Sequence, residues 1–99
     1  MKSSRTIQIE FQQVVRQTNK LEKCADELWR VQRELQDLVN DLRGGWAGDS
    51  AEVYFQKCNE LSSKVGRSAN NLNITANVIE KSARAYRDAE LAAIRLAQD

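Results

Sequence analysis

The sequence predicts an all-α protein: an antiparallel helix-turn-helix hairpin that dimerises into a four-helix bundle. Three observations carry this. The 99 residues include no proline and 4 glycines, and they are rich in Ala, Leu, Glu, Gln, Lys and Arg, which lose little side-chain freedom in a helix. Apolar residues recur in steps of three and four through both halves of the chain. The one sharp interruption, Gly44-Gly45-Trp46-Ala47-Gly48, lies near the midpoint and frees the backbone for a reversal.

The first helix is expected over about 8–43. Its stripe runs through Ile7, Phe11, Val14, Thr18, Leu21, Ala25, Leu28, Leu35, Val39 and Leu42, with Gln32 filling the one gap. Such spacing is heptad-like and places Phe11, Val14, Leu21, Leu28, Leu35 and Leu42 in the hairpin or dimer core. Cys24, Val31 and Leu38 widen the stripe. At the start, Ile7, Ile9 and Phe11 also alternate by two, so an extended lead-in is the competing reading.

The turn occupies about 44–49, after which Asp49 or Ser50 supplies an N-cap and Glu52 completes a capping box. The second helix is expected over about 50–97. Its stripe passes through Ala51, Tyr54, Cys58, Leu61, Val65, Ser68, Leu72, Thr75, Ile79, Ser82, Tyr86, Ala89, Ala93 and Leu96. Leu61, Val65, Leu72 and Ile79 are its core candidates, and the small residues suit close helix approach. Gly66, Asn70, Asn71 and Asn73 have poor helix propensity. The helix is expected to continue through them, with a break as the alternative. Residues 1–99 thus form a single hairpin domain.

A short connection forces the helices antiparallel. That register sets Cys24 near Ala69 and Cys58 near Leu35, with the sulfurs roughly 16 Å apart, too far for a bridge. Both cysteines are read as packing residues, with an intersubunit bridge as the lesser alternative. A lone hairpin has a thin core, and Val15, Trp29, Val53, Phe55, Val78 and Leu91 lie off the strict heptad positions. Association of two hairpins resolves both facts, with a homodimer preferred over a heterodimer with a related hairpin.

Composition excludes several functions. Net charge is +1, from 15 basic and 14 acidic residues of interspersed sign. No one-sided basic patch is available for nucleic acid. No stretch approaches the ~18 apolar residues of a membrane span, and the N-terminus lacks the apolar core of a signal peptide. The chain has no His, so the usual base for a Ser or Cys nucleophile is missing, as is a metal site built on Glu-x-x-His pairs. The glycine turn lacks the Lys of a phosphate loop. The protein is read as a non-enzyme with no cofactor, no metal and no small-molecule substrate.

Two short motifs remain: Trp46-Ala47-Gly48 at the turn, and Tyr86-Arg87-Asp88-Ala89-Glu90 near the C-terminus, whose Tyr86 and Glu90 share a helix face. Together with chain length and the flanking helices, they resemble the WxG family of early-secreted-antigen-like type VII secretion substrates, over essentially the whole chain. The resemblance implies hairpins that dimerise and leave Gram-positive bacteria and mycobacteria folded, secreted without a cleaved signal peptide. It implies a bipartite export signal read by a membrane-bound secretion ATPase. Trp46 and Gly48 match its turn element, and Tyr86 and Glu90 its second element. Tyr86 also falls on the predicted stripe, which would bury it in part. An intracellular coiled-coil adaptor or chaperone for a larger partner is the rival reading.

Overall fold

Helix propensity and periodicity yield two long helices, α1 (Ser4–Arg43) and α2 (Asp49–Gln98), in a computed structural model that describes residues 2–98. The end positions 1 and 99 of the predicted domain lie outside the described residues. The chain is a helical hairpin, without a strand among those residues.

α1 begins earlier than its periodicity predicts because Ser3 caps it. The Ser3 Oγ accepts a hydrogen bond from the Thr6 amide at 3.1 Å, and the Ser3 carbonyl accepts one from the Ile7 amide at 3.1 Å. The alternation of Ile7, Ile9 and Phe11 is therefore helical: Ile7 is buried, Phe11 half-buried and Ile9 exposed. At the other end, Gly44, Gly45 and Trp46 donate their amides to the carbonyls of Asp41, Leu42 and Leu42, which satisfies the last turn.

The expected capping box at the start of α2 does not form. The Glu52 amide bonds the Gly48 carbonyl at 3.1 Å, so Gly48 is the cap and Asp49 already lies in the first turn. The Glu52 carboxylate turns instead to Arg43, 3.1 Å away. Asp49 and Glu52 still favour the positive end of the helix dipole. α2 then runs unbroken through Gly66–Asn73.

The chain divides into two units. The turn unit is Lys23–Leu72; the end unit comprises the residues up to Glu22 and from Asn73 onward. In the turn unit, Val39, Ala51 and Phe55 form the buried cluster, with Leu42 and Cys58 packed against it. Phe55 is 1% exposed, and burying such a ring contributes roughly 1.5–3 kcal/mol. Ala25, Ser62 and Ala69 are also buried, and Leu28, Leu35, Val65 and Leu72 are half-buried. Gly66 is buried beneath the Trp29 ring: a Cβ there would sit 3.4 Å from Trp29 Cζ3. Packing thus explains a glycine that propensity alone disfavours.

In the end unit, Ile7, Thr18 and Ala76 are buried, while Phe11, Val14 and Leu21 are half-buried. Thr18 satisfies its hydroxyl by donating to the Val15 carbonyl at 2.9 Å.

The stripe expected on α2 is partly displaced. Ala51, Cys58, Val65 and Leu72 face inward or are half-buried, but Tyr54, Leu61, Ser68, Thr75, Ile79, Ser82 and Tyr86 are exposed, as are Ala89, Ala93 and Leu96. In place of Tyr54, Leu61, Ser68 and Thr75 the buried residues are Phe55, Ser62, Ala69 and Ala76, each one position further on. Leu61 at 50% and Ile79 at 40% exposure therefore do not belong to the hairpin's own core. The reason is steric. Ser62, Ala69 and Ala76 are small enough for close helix approach, while Phe55 fills the space beside Val39 and Ala51. Cys24 is exposed, against its reading as a packing residue, whereas Cys58 does pack; both are free thiols.

Candidate functional site

The turn presents Trp46 on a built support. α2 carries consecutive aromatics, Tyr54 and Phe55, about two helical turns past the Gly48 cap. The Trp46 ring lies 5.3 Å from Tyr54 in a tilted arrangement and 5.6 Å from Phe55 edge-on, within the range of favourable aromatic pairing. The Arg43 guanidinium sits 4.4 Å over the Phe55 ring and also holds Glu52. Trp46 is nevertheless 40% exposed. Gly48 has φ +114°, and a Cβ placed there would meet nothing within 4 Å. Its requirement is conformational freedom rather than space.

Tyr86 is 59% exposed rather than partly buried. The α2 residue turned toward α1 at this level is Arg87, whose guanidinium lies 4.2 Å over the Phe11 ring and whose Nη2 pairs with Asp88 at 2.9 Å. Glu90, one turn beyond Tyr86, is half-buried, and its Oε2 is enclosed without a hydrogen-bond partner. Hydrogen bonding within reach of Glu90, and then its charge, raise the Tyr86 phenol above its ordinary pKa, while Lys2 opposes the shift. Lys2 itself is engaged by Glu10 across 3.0 Å, which raises the lysine pKa chiefly through that hydrogen bond.

Beside Tyr86 the end unit holds a groove of about 420 Å³, lined by Ile7, Glu10, Phe11, Val14, Ser82, Ala83, Tyr86 and Arg87. A smaller recess of about 170 Å³ shares Ile7 with it and is otherwise lined by Lys2, Glu90 and Ala93. Apolar walls with charged rims suit recognition of another chain's side chains. Among the described residues, no group of Cys, Asp and Glu is arranged to hold a metal ion.

The predicted residues thus fall into two groups. Trp46 and Gly48 belong to the turn unit, and Tyr86 and Glu90 to the end unit. Sequence reasoning missed Lys2, just ahead of α1, and Glu10 on it as neighbours of the second pair, and it read Phe11 as core alone. Their signal was faint, a Lys and a Glu eight positions apart across a helix start. It also missed the Tyr54-Phe55 support under Trp46, although two adjacent aromatics just after a turn offered a visible clue.

Residues 6–91 match a family model described as proteins of 100 residues with WXG. No curated protein and no solved structure matches the chain.

Proposed function

The chain belongs to the WXG100 family, and on that premise we propose that it is a type VII secretion substrate or partner subunit, exported as a folded dimer. The family is associated with type VII secretion substrates and secreted proteins, and it is not known for enzymes. Among the described residues, no helix is long and apolar enough to cross a membrane.

The observation that supports the finer reading is the exposure of both motif aromatics. Trp46 is braced yet open, and Tyr86 is exposed beside the half-buried Glu90. A receptor gains an apolar anchor and a charge to check at such a pair. Pairing of two identical hairpins would cover outward apolar residues of α2, including Leu61, Ile74, Val78 and Ile79. Desolvating them favours association. In this reading Trp46 and Gly48 form one half of the export signal and Tyr86 with Glu90 the other, presented to a membrane-bound secretion ATPase.

The test is export in the native organism, with a cytoplasmic marker to exclude lysis. Wild type is expected in the culture supernatant, and Tyr86→Ala, folded and of unchanged oligomeric mass, is expected to be retained. Export of Tyr86→Ala at the wild-type level removes the proposed signal. Retention of wild type while other substrates leave the cell favours an adaptor role instead.

A further inference from the structure

In the turn unit the two helices leave one face of the hairpin apolar and the other polar. The inward residues Val39 and Phe55 meet in one cluster. Because α1 and α2 run in opposite directions, the residues just before them, Leu38 and Tyr54, turn to the same side. Steps of seven repeat this at Val31 and Leu61, and again at Cys24 and Ser68. Three levels about 10 Å apart therefore present an exposed, uncharged row from each helix. The opposite side, reached one position after the inward residues, carries Asp26, Arg33, Asn40, Gln56, Ser63 and Asn70. The apolar face has a rim of opposite charge on each helix. Glu27 and Glu34 stand four and three positions from Val31 on its outer side, and Lys57 and Lys64 stand likewise about Leu61. Among the described residues, Glu27, Lys57 and Lys64 enter no ion pair, and Glu34 reaches only Arg30, at 3.8 Å.

We propose that this face receives the same face of a second copy, with α1 of each turn unit lying on α2 of the other and both turns at the same end. The inference rests on the dimer under Proposed function and names its surface and orientation. The occupant follows from charge complementarity. Acid edges one helix and base the other at matching levels, so a two-fold axis along the hairpin sets Glu34 against the partner's Lys57 and Glu27 against the partner's Lys64. Each pair occurs twice. Leu38 then covers the partner's Tyr54, and Val31 the partner's Leu61, which removes apolar surface from water on both helices. Turned end for end, two turn units set acid on acid and base on base. An end unit offers α1 a poorer seat, because the row of Cys24, Val31 and Leu38 continues there as Gln17 and Glu10.

The test is the dimer dissociation constant of the full chain, measured by analytical ultracentrifugation at low salt, with helicity as the check on folding. Leu61 is exposed on its own hairpin, so Leu61→Glu leaves the chain folded and is expected to raise the constant about tenfold or more. Val31→Glu repeats the test on the other helix, and Ser63→Glu, on the polar face, is expected to change nothing. Glu34→Lys and Lys57→Glu are each expected to weaken the dimer about three- to tenfold, and the double swap to restore it. If Glu34→Lys tightens the dimer, or the double swap weakens it further, α1 does not lie on α2 of the partner and the inference is overturned. If both Leu61→Glu and Val31→Glu keep the wild-type constant, pairing uses another surface, and the inference falls while the dimer stands. If wild type is itself a monomer, the dimer reading fails, and this inference with it.

Discussion

The turn unit and the end unit are made from the same two helices and solve the same packing problem with different success. Lys23–Leu72 buries Phe55 in a cluster with Val39 and Ala51, seats Trp29 against Gly66, and braces Trp46 with Tyr54 and Phe55. The end unit buries Ile7, Thr18 and Ala76 but leaves Ile74, Val78, Ile79 and Tyr86 exposed beside an open groove. Both halves leave large apolar side chains exposed, Val31, Leu38, Val53 and Leu61 in the turn unit like Ile74, Val78 and Ile79 in the end unit; the difference is that one buries a cluster centred on Phe55 and the other holds the groove beside Tyr86. The same two helices thus pack a large aromatic at one end and small residues at the other, according to which position carries the large side chain.

Truncating each core breaks or upholds the contrast most directly. Phe55→Ala removes the largest fully buried side chain and is expected to cost about 3–5 kcal/mol in urea unfolding. Thr18→Val, equally buried in the end unit, keeps shape and loses only the bond to the Val15 carbonyl. Its expected cost is about 1 kcal/mol or less. Equal losses at both positions would end the distinction between the units.

A smaller effect is expected at Gly66. A Cβ there meets Trp29 Cζ3 at 3.4 Å, ordinary contact. Gly66→Ala should therefore raise stability by about 0.5–1 kcal/mol through helix propensity. Gly66→Leu should lower it by driving the side chain into the ring, at about 1–3 kcal/mol. If Leu is tolerated as well as Ala, the Trp29 contact does not shape the turn unit.

The smallest effect is spectroscopic and belongs to the end unit. In a Tyr54→Phe background only Tyr86 titrates as a phenol, since the chain has 2 tyrosines. Glu90→Gln should lower the pH at which phenolate absorbance appears, because Glu90 holds that pKa above its ordinary value. Lys2→Ala should raise it, because the lysine charge pulls the other way. The linkage has a definite sign: a raised folded-state pKa stabilises fully below pH ~10, and the contribution fades as pH climbs through the folded value. An unchanged titration in both variants would separate Tyr86 from its neighbours.

Much of this architecture was legible in the sequence, and the failures share a cause. The α1 stripe, from Ile7 to Leu42, is inward-facing or half-buried along its main row, including polar Thr18 and Gln32, but Cys24, Val31 and Leu38, expected to widen it, are exposed. On α2, periodicity offered two overlapping stripes, and reading by apolar size favoured Tyr54, Leu61, Ile79 and Tyr86. The hairpin buries the row one position further on, Phe55, Ser62, Ala69 and Ala76, because helix approach depends on both faces at once and one helix's pattern cannot report the other's. The same limit hid Gly66, whose reason is a ring on the opposite helix. Local signals fared unevenly. Ser3 was an overlooked cap, and Asp49 was overtaken by Gly48, since a positive φ let the chain enter the helix one residue sooner. The two motif aromatics were found from sequence, but that Tyr86 is exposed followed only from the placement of Arg87 against Phe11.

The Trp29–Gly66 contact also works as an index mark. A heptad-patterned hairpin is nearly self-similar under a slide of seven residues, and its apolar rows alone tolerate such a slide. Moved by one repeat, the indole would face Asn59 or Asn73, where a side chain occupies the space glycine leaves empty. The contact therefore penalises misalignment in either direction. The turn loop inherits its length from this mark, so residues inserted between Arg43 and Asp49 should bulge outward rather than re-thread the helices.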